Sequence, residues 1–149
     1  MLGTCYNRMF YGCTSLRFAP ELPATTLASN CYYQMFYGCT SLCFAPELPA
    51  PTLVADCYYG MFYDCINLLE GPELPATTLA NNCYLSMFQN CENLRSIGSL
   101  PATQLTNYCY NNMFYGCSNL TNMPKIVINS VAESCCHNMF AYCVNLPTI

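Results

Sequence analysis

The sequence predicts an α/β solenoid: a right-handed stack of coils, each carrying one short helix and one short parallel strand. Three observations predict it. Met-Phe recurs at 9/10, 35/36, 61/62, 87/88, 113/114 and 139/140, a period of 26 residues with no insertion or deletion. Two cysteine columns keep the same register: Cys5, Cys31, Cys57, Cys83, Cys109 and Cys135, then Cys13, Cys39, Cys65, Cys91, Cys117 and Cys143. A leucine column follows at Leu16, Leu42, Leu68, Leu94, Leu120 and Leu146. A fixed period in this range makes each repeat one coil stacked on the last. Residues 1–149 then form a single repeat domain with units at 4–29, 30–55, 56–81, 82–107, 108–133 and a partial 134–149.

The helix is read from spacing. Cys31, Met35 and Cys39 fall at i, i+4 and i+8, with Tyr32 and Phe36 beside them on a helical wheel. That pattern predicts a two-turn amphipathic helix. Thr4, Asn30, Asp56, Asn82 and Ser134 precede the first cysteine and suit an N-cap. Gly12, Gly38, Asp64, Asn90 and Gly116 precede the second and tolerate the left-handed conformation that ends a helix.

A turn follows, with Ser15, Ser41, Asn67, Asn93, Asn119 and Asn145 before the leucine. Such a column suggests a ladder that satisfies buried backbone groups. The strand comes next, as in 44–49. The column Ala19, Ala45, Gly71, Ile97, Met123, Ile149 and the column Leu22, Leu48, Leu74, Leu100, Ile126 are expected to point inward, with Glu21, Glu47 and Glu73 facing out. Pro20, Pro46, Pro72 and Pro124 sit where alternation breaks, a place for a bulge. A second extended stretch, 24–27 and its equivalents, leads to the next helix.

Composition narrows the function. Four Lys+Arg, eight Asp+Glu and a net charge of −4 leave nothing to neutralise a run of phosphates, so nucleic acid is excluded as a partner. No apolar run approaches the ~20 residues of a membrane span. Met1-Leu2-Gly3-Thr4-Cys5 does not open a secretory signal peptide. The protein is either not exported by that route or a piece of a longer one.

Fourteen cysteines suggest disulfides until their placement is considered. Within a helix, the two cysteines of a repeat would lie ~12 Å apart, beyond bridging. Neighbours within a column would lie ~5 Å apart, within reach by distance but with side chains parallel. The favoured reading is twelve buried thiols acting as small hydrophobes, forming the structural core with Leu16, Leu42, Leu68, Leu94 and Leu120. No C-x-x-C occurs and His137 is the sole histidine, so no metal site and no cofactor are expected. No nucleophile–base pair or phosphate-binding glycine loop points to an enzyme.

Two sets of residues could bind a ligand. Tyr33, Tyr37, Tyr59 and Tyr63 are two i, i+4 pairs directed away from the cysteine–methionine stripe, with Tyr11 and Tyr115 nearby. They form either an exposed aromatic binding patch or a packed stack. The column Tyr6, Tyr32, Tyr58, Tyr84, Tyr110 is expected to be half in the core. Glu21, Glu47 and Glu73 occupy one position in three coils, either as a solvated edge or as a lure for a cation or basic partner.

The runs Met-Phe-Tyr-Gly-Cys-Thr-Ser-Leu at 9–16 and 35–42, followed by Pro-Glu-Leu-Pro, resemble the BspA-like leucine-rich repeats, with their consensus Ala-Phe-x-Gly-Cys-x-x-Leu and a short strand ending Leu-Pro. The match covers all six repeats. It departs in length, since the family repeat is about 23 residues within the roughly 20–29 of such repeats, and in having Met where the family has a small residue. The resemblance implies a parallel-sheet solenoid at a cell surface or secreted, binding a protein or glycan in adhesion. An alternative is a structural subunit. The chain starts at a helix and stops at Pro147-Thr148-Ile149 without polar caps, so uncapped ends could stack a homo-oligomer head to tail.

Overall fold

The computed structural model describes residues 5–147. Coils repeat on the 26-residue register, coil 1 running to residue 29, coils 2 to 5 over 30–55, 56–81, 82–107 and 108–133, and coil 6 from 134. Thr4, assigned above to a helix cap, and Thr148 and Ile149 at the chain's end lie outside the described residues.

The helices are not there: no described residue is helical, and 31–38 is a run of tight turns. The backbone hydrogen bonds give the reason. In coil 2, odd-numbered amides close turns within the coil, with Tyr33, Met35, Tyr37 and Cys39 donating to the carbonyls of Asn30, Tyr32, Gln34 and Phe36 at 3.0–3.4 Å. Even-numbered amides leave the coil, with Tyr32, Gln34, Phe36 and Gly38 donating to Cys57, Tyr59, Met61 and Tyr63 of coil 3 at 2.8–3.1 Å. An α-helix uses every interior N–H along its own axis. Here every second one joins neighbouring coils, so each coil is hydrogen-bonded to the next as a strand would be.

This geometry requires a left-handed residue at every fourth position. Asn30 (φ 59°), Gln34 (49°) and Gly38 (69°) supply it in coil 2, and Asp56, Gly60 and Asp64 in coil 3. Each positive φ among the described residues falls in these three columns. They are mostly Asn, Asp and Gly, the residues that tolerate αL. The supposed N-caps are therefore left-handed turn residues, whereas an N-cap sits in the β region. The i, i+4, i+8 spacing of Cys31, Met35 and Cys39 reflects a turn period of four, not a helical period of 3.6.

The expected strand is corrected too. The extended stretches meet only through single parallel bridges: Phe18 with Phe44, Phe44 with Glu70, Glu70 with Ser96, Thr52 with Thr78, Leu100 with Ile126 and Gln104 with Ser130. Proline lacks the N–H that a ladder needs. Pro20 and Pro23, Pro46, Pro49 and Pro51, and Pro72 and Pro75 interrupt coils 1 to 3 at least twice each. The inward pattern holds for the leucine column, where Leu22, Leu48, Leu74 and Leu100 are buried, Ile126 is half-buried, and Glu21, Glu47 and Glu73 are exposed; the other expected inward column is only half-buried at Ala19, Ala45, Gly71 and Ile97 and is exposed at Met123. Leu27, Leu53, Leu79 and Leu105, from the second extended stretch, form a further buried column.

The core is a set of ladders along the axis. Phe10, Phe36, Phe62, Phe88, Phe114 and Phe140 stack with centroids 5.4–5.6 Å apart and planes within 9°. Tyr32, Tyr58, Tyr84 and Tyr110 stack beside them at 5.8–5.9 Å and are fully buried, not half in the core, while Tyr6 of the same column is 37% exposed. The stacking register leaves the Tyr58 hydroxyl buried without a hydrogen-bond partner. Removing an unsatisfied buried group is neutral or stabilising. Tyr58→Phe is therefore expected to hold or raise the melting temperature; a clear fall would mean that the hydroxyl is bonded.

At the surface, Asn119 donates to Asn93 and Asn93 to Asn67, both at 3.3 Å. Asn67 in turn donates to the Thr40 carbonyl at 2.7 Å. The expected ladder is thus mostly amide to amide, along an exposed edge.

Candidate ligand-binding face

The turn period of four decides what the outer face presents. Buried pairs such as Cys31-Tyr32 and Met35-Phe36 alternate with half-buried pairs such as Tyr33-Gln34 and Tyr37-Gly38. The second member of each outer pair is left-handed, so the first is carried outward once per turn. In coils 2 and 3 that residue is tyrosine at both turns: Tyr33, Tyr37, Tyr59 and Tyr63.

The structure brings these four rings together in two parallel stacks. Tyr33 and Tyr59 lie 4.7 Å apart at 21°. Tyr37 lies 4.6 Å from Tyr63 at 11° and 4.7 Å from Tyr11 at 10°. Arg8 bridges the stacks at one end, its guanidinium 5.5 Å from the Tyr11 centroid and 5.7 Å from that of Tyr33, while its Nε donates to Gln34 Oε1 at 2.9 Å. Spacing alone did not reveal this cation–π clasp; the signal was an arginine in the left-handed column beside two tyrosine columns. Partial burial raises the pKa of Tyr37, Tyr59 and Tyr63, with neighbouring Asp64 adding to the shift at Tyr37 and Tyr63. The hydroxyls are thus neutral donors at pH 7. In coil 4 the equivalents are Leu85 and Gln89, and the double stack ends.

Glu21, Glu47 and Glu73 lie on another face. Glu21 and Glu47 flank a shallow groove of about 420 Å³ walled by Pro20, Pro23, Pro46 and Pro49. Glu47 and Glu73 flank one of about 200 Å³ between Pro46, Pro49, Pro72 and Pro75. Glu73 leans over Gly98, where a Cβ would come within 2.5 Å of its Oε2. The structure does not join this row to the tyrosines.

All fourteen cysteines are free thiols. Cys31, Cys39, Cys57, Cys65, Cys83, Cys91, Cys109, Cys117, Cys135 and Cys143 are buried with Leu42, Leu68, Leu94 and Leu120. Cys5 and Cys13 are exposed and Leu16 is half-buried, which corrects their assignment to the core: they lie on coil 1, and no described coil covers its outer face. The second column is also more than a set of small hydrophobes. Cys39, Cys65, Cys91, Cys117 and Cys143 each donate S–H to a phenylalanine carbonyl one coil back, at 3.0–3.1 Å.

Burial pushes the Cys39 and Cys143 thiols up to about 11 and Cys57 up to about 12, from an ordinary 9.0. Below pH 9 these thiols are protonated whether the chain is folded or not. Between pH 9 and 12 the unfolded chain ionises while the folded one holds its protons, so stability falls across that window. Melting temperature is expected to drop steeply above pH 9. A thiol reagent at pH 8 is expected to reach Cys5 and Cys13 first and about fourteen groups after denaturation without reductant; near-zero reaction after denaturation would contradict free thiols.

Coils in one 26-residue register, joined by parallel bridges and cored by ladders of leucine, aromatic and thiol side chains, define a leucine-rich-repeat solenoid. Residues 3–147 match the BspA type leucine-rich repeat region in six copies, and the chain belongs to that family. A solved structure, the crystal structure of the T. pallidum leucine-rich repeat protein, is similar at 20% identity and a TM-score of 0.44, covering 98% of this chain and 71% of that one. No curated protein matches. Among the described residues, no three His, Cys, Asp or Glu are grouped to hold a metal ion, and no helix is long and apolar enough to cross a membrane.

Proposed function

We propose that this chain is a non-catalytic binding scaffold that recognises a protein partner through the double tyrosine stack, in adhesion at a cell surface. The observation that supports this most is the pairing of Tyr33 with Tyr59 and Tyr37 with Tyr63 at 4.6–4.7 Å. Rings held this way are ordered before binding, so little side-chain entropy is lost on association. Each ring has at least one face covered by its stacked neighbour, and Tyr37 has both, which reduces the open aromatic face. A sugar ring stacks on an aromatic face, so the arrangement favours a protein over a glycan. Membership in a family often associated with cell surfaces is consistent with the role.

Peptides selected from a display library on the wild-type chain provide the test. Changing Tyr33, Tyr37, Tyr59 and Tyr63 to Ser is expected to lower stability by a few kcal/mol, at about 0.5–1.5 kcal/mol for each lost ring pair. The circular dichroism spectrum is expected to stay wild-type, and most selected peptides to lose binding at least tenfold. Undiminished binding by the folded variant would remove the stack as the site and redirect attention to the Glu21–Glu47–Glu73 grooves.

A further inference from the structure

Two kinds of tyrosine ladder run along the coils, and they differ in spacing and access. In the core, Tyr32, Tyr58, Tyr84 and Tyr110 stack at 5.8–5.9 Å and are fully buried. On the outer face, Tyr37 and Tyr63 stack at 4.6 Å with planes 11° apart, and Tyr33 and Tyr59 at 4.7 Å and 21°. The four outer rings are half-buried, so part of each is open to solvent. Near-parallel rings this close bring carbon atoms over carbon atoms at contact distance, about 3.5–4 Å.

That contact suits one covalent reaction. A phenol that loses its hydroxyl hydrogen as an electron and a proton becomes a phenoxyl radical. The unpaired spin rests on the oxygen and on the ring carbons ortho and para to it. The para carbon of tyrosine carries Cβ, so two such radicals couple through ortho carbons. The new carbon–carbon bond forms along the p orbitals, perpendicular to both rings, which is the direction in which stacked rings face each other. Each coupled carbon then passes its hydrogen to the ring oxygen as a proton, and both rings become phenols again.

The surroundings single out one pair. The Asp64 carboxylate acts on the Tyr37 and Tyr63 hydroxyls by its charge, and on Tyr37 through a hydrogen bond as well. A carboxylate in that place takes the phenol proton as the electron leaves and releases it to water. The Arg8 guanidinium stands 5.5 Å from the Tyr11 centroid and 5.7 Å from that of Tyr33. Its positive charge disfavours removing an electron from those two rings.

We propose that Tyr37 and Tyr63 are a site of oxidative cross-linking, joined ortho carbon to ortho carbon as dityrosine by hydrogen peroxide and a haem peroxidase. One peroxide accepts the two electrons and two protons that the pair gives up and leaves as two waters. The bond staples coil 2 to coil 3, in a stack whose stability is carried by contacts between neighbouring coils. It uses two rings of the proposed binding face but does not depend on any ligand binding there.

The test treats the folded chain with a haem peroxidase and limiting hydrogen peroxide, after its accessible thiols are capped with iodoacetamide so that they do not quench the radicals. The monomer is expected to lose the mass of two hydrogens and to gain the blue fluorescence of dityrosine. Cleavage after glutamate puts Tyr37 on 22–47 and Tyr63 on 48–70, and fragmentation of the joined pair locates the bond. Tyr37→Phe keeps a ring in the stack but has no hydroxyl hydrogen to lose, so it is expected to keep the wild-type circular dichroism spectrum and to lose this link and most of the fluorescence. Tyr84→Phe, in the buried ladder, is expected to leave both unchanged. Oxidised monomer without a link, or links that join chains or other tyrosines in preference to Tyr37 and Tyr63, would overturn the proposal. Fluorescence undiminished in Tyr37→Phe would overturn it too. If that variant does not fold, the position of the link in the wild-type chain decides.

Discussion

Leu48→Asp is expected to unfold coils 1 to 3 together, whereas Glu47→Gln, one residue away, leaves the melting curve almost unchanged. Leu48 is 2% exposed and packed in the column between Leu22 and Leu74. A carboxylate there loses the leucine's packing and sits unpaired in an apolar column, at a cost of about 3–5 kcal/mol. In a linear stack the stability of each coil rests on its two neighbours. Damage at coil 2 therefore removes an interface from coils 1 and 3 as well, against a total stability on the order of 5–15 kcal/mol. Glu47 is exposed on the groove edge beside Pro46 and Pro49. Removing its charge deletes a repulsion from Glu21 and Glu73 in the same column. Equal melting shifts for the two variants would show that the inward and outward positions are misassigned.

Gly60→Val is expected to destabilise by about 2–3 kcal/mol, and Gly60→Ala by about 1–2 kcal/mol, because an L residue at this φ pays the left-handed penalty. Gly60 has φ 53°, and an added Cβ would meet Gln34 Cγ at 3.2 Å, so valine adds crowding to the backbone cost. The direction is diagnostic. Were 57–64 a helix, alanine at a mid-helix glycine would stabilise by roughly 0.5–1 kcal/mol. Gly60→Asn, which matches Asn112 and Asn138 in the same column, is expected to be tolerated best. Thermal or urea denaturation of the three variants checks the order Asn above Ala above Val.

How much of this the sequence revealed depends on which periodicity is read. The 26-residue register and the inward column Leu22–Leu48–Leu74–Leu100 are legible because burial filters residue type in every coil. The absence of a helix is not legible in the cysteine–methionine spacing, because i, i+4, i+8 suits both a helical wheel and a run of four-residue turns. The discriminating signal lay in the column Arg8, Gln34, Gly60, Ser86, Asn112, Asn138, halfway between the supposed caps. Gly60, Asn112 and Asn138 are poor choices for a helix centre and good ones for αL. With Asn30 and Gly38 on either side, left-handed residues recur every four, not only at the ends. The apolar pattern alone suggests a longer strand than exists, because paired prolines such as Pro46 and Pro49 remove ladder donors.

The tyrosine face was legible in part. That Tyr33, Tyr37, Tyr59 and Tyr63 leave the core followed from their positions beside the buried stripe. That their rings face one another at 4.6–4.7 Å did not, since it depends on coils spaced as closely as strands. The Arg8 clasp depends on that spacing as well.

The turn ladder depends on where the even-numbered amides go, and couplings across hydrogen bonds in a nuclear magnetic resonance experiment read this directly. The Phe36 amide is predicted to couple to the carbonyl carbon of Met61, and the Phe62 amide to that of Met87, both at 2.9 Å between nitrogen and oxygen. Coupling of the Phe36 amide to the Tyr32 carbonyl carbon instead, four residues back, would restore the helix and contradict the turn ladder.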